Sequence, residues 1–387
     1  MSASGKKMMI ELPLKVILTE DGASKFISHK KKLVRFRLAD NIDGSGISMR
    51  QFSPQSIQTM LMLDYISKIE ISLPEFVTSR QEIMDLSKII VYSFLYKQFD
   101  RDIYSSIIQC DCVRKYNRSH ASQLIDEKTK LSEKQLRSAL SAKDAVIGQT
   151  RSEILEPIWD SIRKNKDYSI EEQNIYMLMS EKFMNRMSLQ NWYVITLFHK
   201  KEGFEDMLVA IRNILTQYME KSKVAEYISV MIMELALKNE NTNITKEAKN
   251  MYPTVDNINE LVADPEVRSK IVKELQRKRV LVSVSWKLGG GSTSIGKQGR
   301  LQITLYNKDD EFQEVKESIE TKASADTNKR SLIDFYRETP DGGGSELGLY
   351  YLSYLDDACK KVNIKFESIV NQFSSSDLTV INLIFNF

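Results

Sequence analysis

Three separated stretches carry residue types capable of chemistry. The last, Asp341-Gly-Gly-Gly-Ser-Glu-Leu-Gly-Leu349, is a glycine-rich turn leading into apolar residues at helical spacing: Leu347, Tyr351, Leu355, Ala358 and Val362. Such a turn is a physical anion site, because the first N–H groups of a helix have no intrahelical partner and point outward. Upstream, Glu234-Leu-Ala-Leu-Lys238-Asn239 places a carboxylate, an ammonium and an amide on one predicted helix. Between these two, Leu301-Gln-Ile-Thr-Leu-Tyr-Asn307-Lys-Asp309 closes a predicted strand with an amide, which offers both donor and acceptor atoms, and a carboxylate. Metal and thiol chemistry are poorly served. Cys110-Asp-Cys112 is too short for a zinc pair, Cys359 stands alone, and His29, His120 and His199 are scattered. No metal site is expected. A second glycine-rich stretch, Leu288 to Gly296, lacks the lysine and hydroxyl residue of a phosphate loop and reads as a hairpin tip.

In order and spacing the three stretches resemble the nucleotide boxes of the histidine-kinase-like ATPase superfamily, which includes histidine kinases, gyrase B and mismatch-repair ATPases. Gly344-Ser-Glu-Leu-Gly-Leu349 is similar to its last glycine box, G-x-G-L-G-L. Glu234 to Asn239 looks like its asparagine box, E-x-x-x-N, and Asn307-Lys-Asp309 stands where D-x-G ends a strand. The resemblance covers residues 205–387 and implies an α/β sandwich with ATP or ADP between the boxes. It implies Glu234 as general base, and contacts to nucleotide from Lys238, Asn239, Asn307, Asp309, Gly342, Gly343, Gly344 and Gly348. The departures point away from hydrolysis. Lys238 stands where the family holds magnesium with an asparagine, and Asn239 is one residue off. Asp309 and Glu346 add negative charge where glycines let the nucleotide approach. An ATPase needs a metal holder and charge that compensates phosphate. The resemblance therefore implies a degenerate member, with no cofactor or only weakly held ATP or ADP. It does not extend to a phospho-accepting histidine: His199 is followed by two lysines and His120 by Ala121-Ser122, not by an acid.

The elements around these stretches predict an α+β protein in three parts: a small α/β module over 1–75, a helical middle over 76–204, and the ATPase-like end over 205–387. In the module, Ile10 to Leu18 alternates as a strand that Pro13 marks as an edge. Val34, Phe36 and Leu38 form a second strand, 41–46 a turn, Pro54 to Tyr65 a helix capped by Ser53, and Ile69 to Leu73 another strand. The middle is almost free of proline and predicts helices near 79–98, 99–118, 121–146, 149–164, 170–186, 189–199 and 204–221. Ser169 with Glu172 reads as a capping box. The charged run Leu124 to Arg137 reads as a solvated helix or a hinge. Val224, Tyr227, Ile228, Met231 and Leu235 form a stripe expected to pack on the terminal sheet. Residues 240–278 read as asparagine-rich turns and a charged helix. Strands are expected at 280–286, 301–305, 364–370 and 380–387; residues 308–330 are charged and polar, where the resemblance implies the family's nucleotide lid.

Composition sets the outer limits. The chain has 387 residues and a net charge of +3, so no global field calls for nucleic acid or membrane. No apolar run reaches the ~20 residues of a membrane span. Three cysteines suit a reducing cytoplasm. The basic run His29 to Lys32, with Arg35 and Arg37, reads first as a solvated strand face. Two functions follow: a non-catalytic regulatory or scaffold protein that meets a protein partner through its helical middle, or a divergent nucleotide-binding ATPase or kinase-like enzyme. Either is compatible with an oligomer.

Overall fold

A computed structural model describes residues 9–40, 42–129, 131–289, 299–308, 327–330, 332, 344–373 and 378–387. The chain divides into two compact units, Met1–Val91 with Val224–Phe387, and Tyr92–Lys223.

The first unit is built on one antiparallel sheet with strand order β2-β3-β1-β4-β5-β6-β9-β8-β7. Its strands are β1 (Leu14–Leu18), β2 (Val34–Arg37), β3 (Asp43–Met49), β4 (Ile66–Leu73), β5 (Leu281–Gly289), β6 (Arg300–Lys308), β7 (Thr327–Arg330), β8 (Lys365–Phe373) and β9 (Leu378–Asn386). Short helices α1 (Glu20–Ser28) and α2 (Pro54–Met62) sit within the N-terminal strands, each with a side-chain cap, from Thr19 and Ser53. Helix α3 (Arg80–Gln109) and the long α9 (Phe204–Met251) each run from one unit into the other. Helices α10 (Ile258–Ala263) and α11 (Pro265–Arg277) follow α9, and α12 (Gly344–Lys361) packs on β8.

Side chains directly opposite in an antiparallel sheet share a face. The register puts Leu14, Ile71, Val284, Leu305 and Ile381 in one row and Val16, Ile69, Trp286, Ile303 and Leu383 in the next. All ten are buried at 1% exposure or less. At roughly 1.5–3 kcal/mol for each large apolar side chain fully buried, these rows are the main stabilisation of the sheet. The opposite face is polar yet partly buried. There Glu70, at 0% exposure, accepts from Lys15 Nζ at 2.9 Å, Ala39 N at 3.1 Å and Tyr306 Oη at 3.0 Å. Burial pushes the Tyr306 phenol well above its ordinary value, and the Glu70 charge adds to that rise.

Four sequence expectations change here. Residues 1–75 are not a separate module: β4 pairs with β5 from Lys68↔Lys287 to Leu73↔Val282, so N- and C-terminal segments share one sheet. The boundaries at 75 and 204 thus differ from the compact units, whose divisions fall inside α3 and α9. Strand β1 is interior, between β3 and β4, because Pro13 precedes the ladder and its missing N–H removes no rung. Residues 43–46 are strand rather than turn, and glycine is required there: a Cβ on Gly46 would lie 1.9 Å from Val16 O. Residues 240–251 are helix rather than asparagine-rich turns. Ile244 and Ala248 extend the buried stripe of α9 and pack with Ile271 and Leu275 of α11, which outweighs the weak helix propensity of asparagine.

The second unit is helical: α4 (Asp111–Ser119), α5 (Glu133–Leu140), α6 (Asp144–Lys164), α7 (Ile170–Asn185) and α8 (Leu189–Phe198), with the adjoining parts of α3 and α9. Phe183 takes Tyr96 and Phe99 edge-on at 4.9 and 5.1 Å, and Phe99 meets Tyr218 at 5.5 Å, an arrangement that aligns ring edges with faces. The α7 capping box between Ser169 and Glu172 is formed. The predicted 121–146 helix is two pieces, α5 and the start of α6, because the chain from 120 to 129 is held in turns by Asn117 and Asp126.

Candidate functional site

Helix α9 presents the first group. Glu234 is half-buried, and burial raises its carboxyl pKa, with the Arg80 charge opposing the rise. Lys238 is one turn further on and also half-buried. Asn239 is buried at 4% exposure, and its Nδ2 has no hydrogen-bond partner among the described residues. Asn243, one turn on from Asn239, is buried at 8% with an Nδ2 in the same condition. An amide donor held out of water without an acceptor costs roughly 1–3 kcal/mol, so two on successive turns of one helix are a cluster that wants an acceptor.

The remaining predicted residues are distributed over two other elements. Asn307 lies opposite Val282 near the end of β6, its side chain outside the described residues. Asp309, Gly342 and Gly343 lie outside them as well. Gly344 is the first residue of α12, and Gly348 is a buried position within that helix. The buried stripe of α12 is Gly348, Leu352, Leu355 and Cys359. Of the predicted stripe, Leu355 is buried, Tyr351 and Ala358 are half-buried, and the side chain of Leu347 lies outside the described residues. Tyr227 of α9 stacks on Tyr354 of α12, with ring centroids 5.9 Å apart. The first and last predicted boxes are therefore carried by helices that touch.

One buried charge of α9 was passed over by the sequence reading. Glu240, at 0% exposure, accepts from the backbone N–H groups of Phe76 and Val77 and from Arg268 of α11, whose Nε also donates to Glu75 at 2.8 Å. Burial raises the Glu240 carboxyl pKa, and the Phe76 hydrogen bond and the Arg268 charge oppose that rise. The signal was present in the spacing: Ala236, Glu240, Ile244 and Ala248 repeat every four residues, which aligns the acid with an apolar stripe. This network is structural. It ties the junction between β4 and α3, a 3₁₀ turn at Val77–Ser79, to α9 and α11.

The histidines stand at helix ends. His120 follows α4 and stacks on Tyr116 at 4.1 Å, and His199 follows α8 against Phe204. Burial pushes the Cys110 thiol up to about 11 and the Cys359 thiol up to about 12, so both stay protonated near neutrality. Among the described residues, no group of three or more His, Cys, Asp and Glu is placed to hold a metal ion, and no helix is long and apolar enough to cross a membrane.

Residues 5–387 match a family described as a family of unknown function, DUF8084. The chain belongs to that family. It is also similar to an uncharacterized protein of Treponema pallidum (strain Nichols), with 35% identity over 389 residues and full coverage of both chains. No solved structure matches it. DUF8084 membership spans the sheet, α9 and α12 together, in keeping with the shared ladder between β4 and β5.

Proposed function

We propose that this DUF8084 protein is a non-catalytic regulatory or scaffold protein of the cytoplasm. Its first unit holds a degenerate histidine-kinase-like ATPase arrangement, and its helical unit meets a protein partner in signalling. The observation that carries this reading is Lys238 on α9, four residues after Glu234, at the place where that family holds magnesium. A cation there cannot ligate a metal, so the polarising charge for phosphoryl transfer has no protein anchor. The element order supports the relation to that family: the box helix α9, the β5–β6 hairpin, α12 entering at Gly344, then the β8–β9 hairpin returning beside β6.

A second reading, nucleotide binding without turnover or by a divergent enzyme, is favoured by one observation. The unpartnered amides of Asn239 and Asn243 are donors suited to phosphate oxygens. Isothermal titration with ATP and ADP, with and without magnesium, separates the readings. The scaffold reading expects no heat at millimolar nucleotide and no ATPase activity. Binding lost in Asn307→Ala supports the second reading, and ATP hydrolysis abolished by Glu234→Ala would end the first.

A further inference from the structure

The basic run of the sequence is a built surface at one end of the sheet. Helix α1 ends in two paired hydrogen bonds, Lys31 N to Phe26 O at 3.1 Å and Lys30 N to Ile27 O at 2.9 Å, with Lys30 at φ 56. This left-handed C-terminal motif fixes the path of Lys30, Lys31 and Lys32 into β2. Among the described residues, strand β2 is terminal in the sheet and pairs with β3 alone. Leu38 N donates to Ile42 O across the β2–β3 turn. By antiparallel alternation the backbone groups of Val34 and Phe36 therefore also face β3, and those of Arg35 with the N–H of Arg37 face the open edge, while Arg37 O accepts from Lys15 Nζ at 3.4 Å. Lys25, Lys30, Lys31, Lys32, Arg35 and Arg37 are all exposed, and no acid occurs between Gly22 and Ala39. Asp43 is the acid paired with this group, through Arg35 at 2.8 Å. The other face of β2 is apolar: Val34 is 45% exposed and Phe36 half-buried.

We propose that the outer edge of β2 takes an extended acidic segment of another protein by strand addition. The fit is periodic. An added strand with acids at alternate positions sets them beside Arg35 and Arg37 on one face and apolar side chains beside Val34 and Phe36 on the other. A second copy of this chain does not fit. Joining two β2 edges opposes the same cations, and the other terminal strand, β7, carries Lys329 and Arg330. Nucleic acid and lipid use the charge but leave the outward N–H and C=O groups of the strand unmatched. Edge cations also guard sheets against self-pairing, and strand addition by an acidic segment converts that guard into selection. The inference is independent of the nucleotide boxes and adds a partner surface outside the helical unit.

The test is fluorescence anisotropy of the full chain with a labelled peptide of alternating glutamate and valine. Its control is the same sequence N-methylated at every residue, which keeps the charge and removes all the donors of the added strand. The proposal expects saturable binding of the first peptide and at least ~10-fold weaker binding of the N-methylated peptide, since main-chain bonds supply affinity in strand addition. Raising salt from about 50 to about 300 mM weakens it, because exposed charges are screened within ~10 Å at 0.1 M. Arg35→Glu with Arg37→Glu costs at least ~10-fold, from opposite-charge pairs turned to like-charge pairs. Lys31→Glu with Lys32→Glu, outside the strand, costs less and checks the surface where the first variant fails to fold. Equal binding of both peptides, or no binding, overturns the proposal. So does tighter binding, abolished by the same variants, to a single-stranded oligonucleotide or to phosphatidylserine vesicles.

Discussion

Glu240 is the residue whose removal should be felt most in the first unit. Its carboxylate is fully buried and accepts from two backbone N–H groups and from Arg268. Glu240→Ala leaves the Phe76 and Val77 donors without their acceptor and strips Arg268 of one of its two carboxylates. Breaking a buried pair by removing one partner costs roughly 3–5 kcal/mol. Arg268 keeps Glu75 and is 24% exposed, so the lower end is expected. A loss of ~3 kcal/mol lowers Tm by on the order of 10 °C for a unit of this size. Glu240→Gln keeps an acceptor oxygen for the backbone and loses about half as much, since hydrogen bonds to charged groups are worth ~1.5–3 kcal/mol against ~1 for neutral ones. The pH dependence has a definite sign. The Glu240 pKa is raised in the folded protein above its ordinary 4.5. Its contribution to stability is therefore complete below 4.5 and falls as pH rises through the folded pKa. Arg268→Leu removes the cation that opposes the rise, so its destabilisation should be larger at pH 7 than at pH 4.5. The assay is urea unfolding of wild type and the three variants at both pH values. A Glu240→Ala loss under ~1 kcal/mol, or an Arg268→Leu effect that grows toward pH 4.5, refutes the role assigned to this network.

Three further outcomes can be checked on the same purified chain. Gly46→Ala places a Cβ 1.9 Å from the backbone oxygen of Val16, whereas Gly44→Ala meets the movable Ile17 Cδ1 at 2.9 Å. The first should cost ~3 kcal/mol or prevent folding and the second ~1 kcal/mol, by thermal unfolding. Tyr306→Phe removes one of the three donors to Glu70 and should cost ~1.5–3 kcal/mol by chemical denaturation. Asn239→Leu removes an unpartnered buried amide, so the scaffold reading expects a gain of ~1 kcal/mol. A fall in stability specific to nucleotide-loaded protein would instead assign that amide to a ligand.

Much of the local structure was legible in the sequence. Alternation located the strands from Val34, Ile69, Val280 and Leu301, and three- and four-residue spacing located the helices near 149–164, 170–186 and 189–199, whereas the predicted break at 98–99 falls inside α3. The Ser53 and Ser169 caps were readable because capping depends on residues within one turn of each other. Of the site, Glu234, Lys238 and Asn239 were correctly placed on one helix, because helix membership is also local. The helix expected from Leu347 was legible as α12, which begins three residues earlier at Gly344, and of its expected stripe Leu355 is buried.

What the sequence by itself determined is therefore many of the strands and helices, which are fixed by residue type and short-range periodicity. Tertiary structure alone decided that β4 and β5, more than 200 residues apart in the chain, pair into one sheet. It also decided that β1 is interior, that α9 continues through an asparagine-rich segment, and that Glu240 is buried against the N–H groups of Phe76 and Val77 and against Arg268. The physical reason is the same in each case. Alternation and helical spacing say which face of an element is apolar, but not which distant surface will cover it, and burial by that partner overrides local propensity.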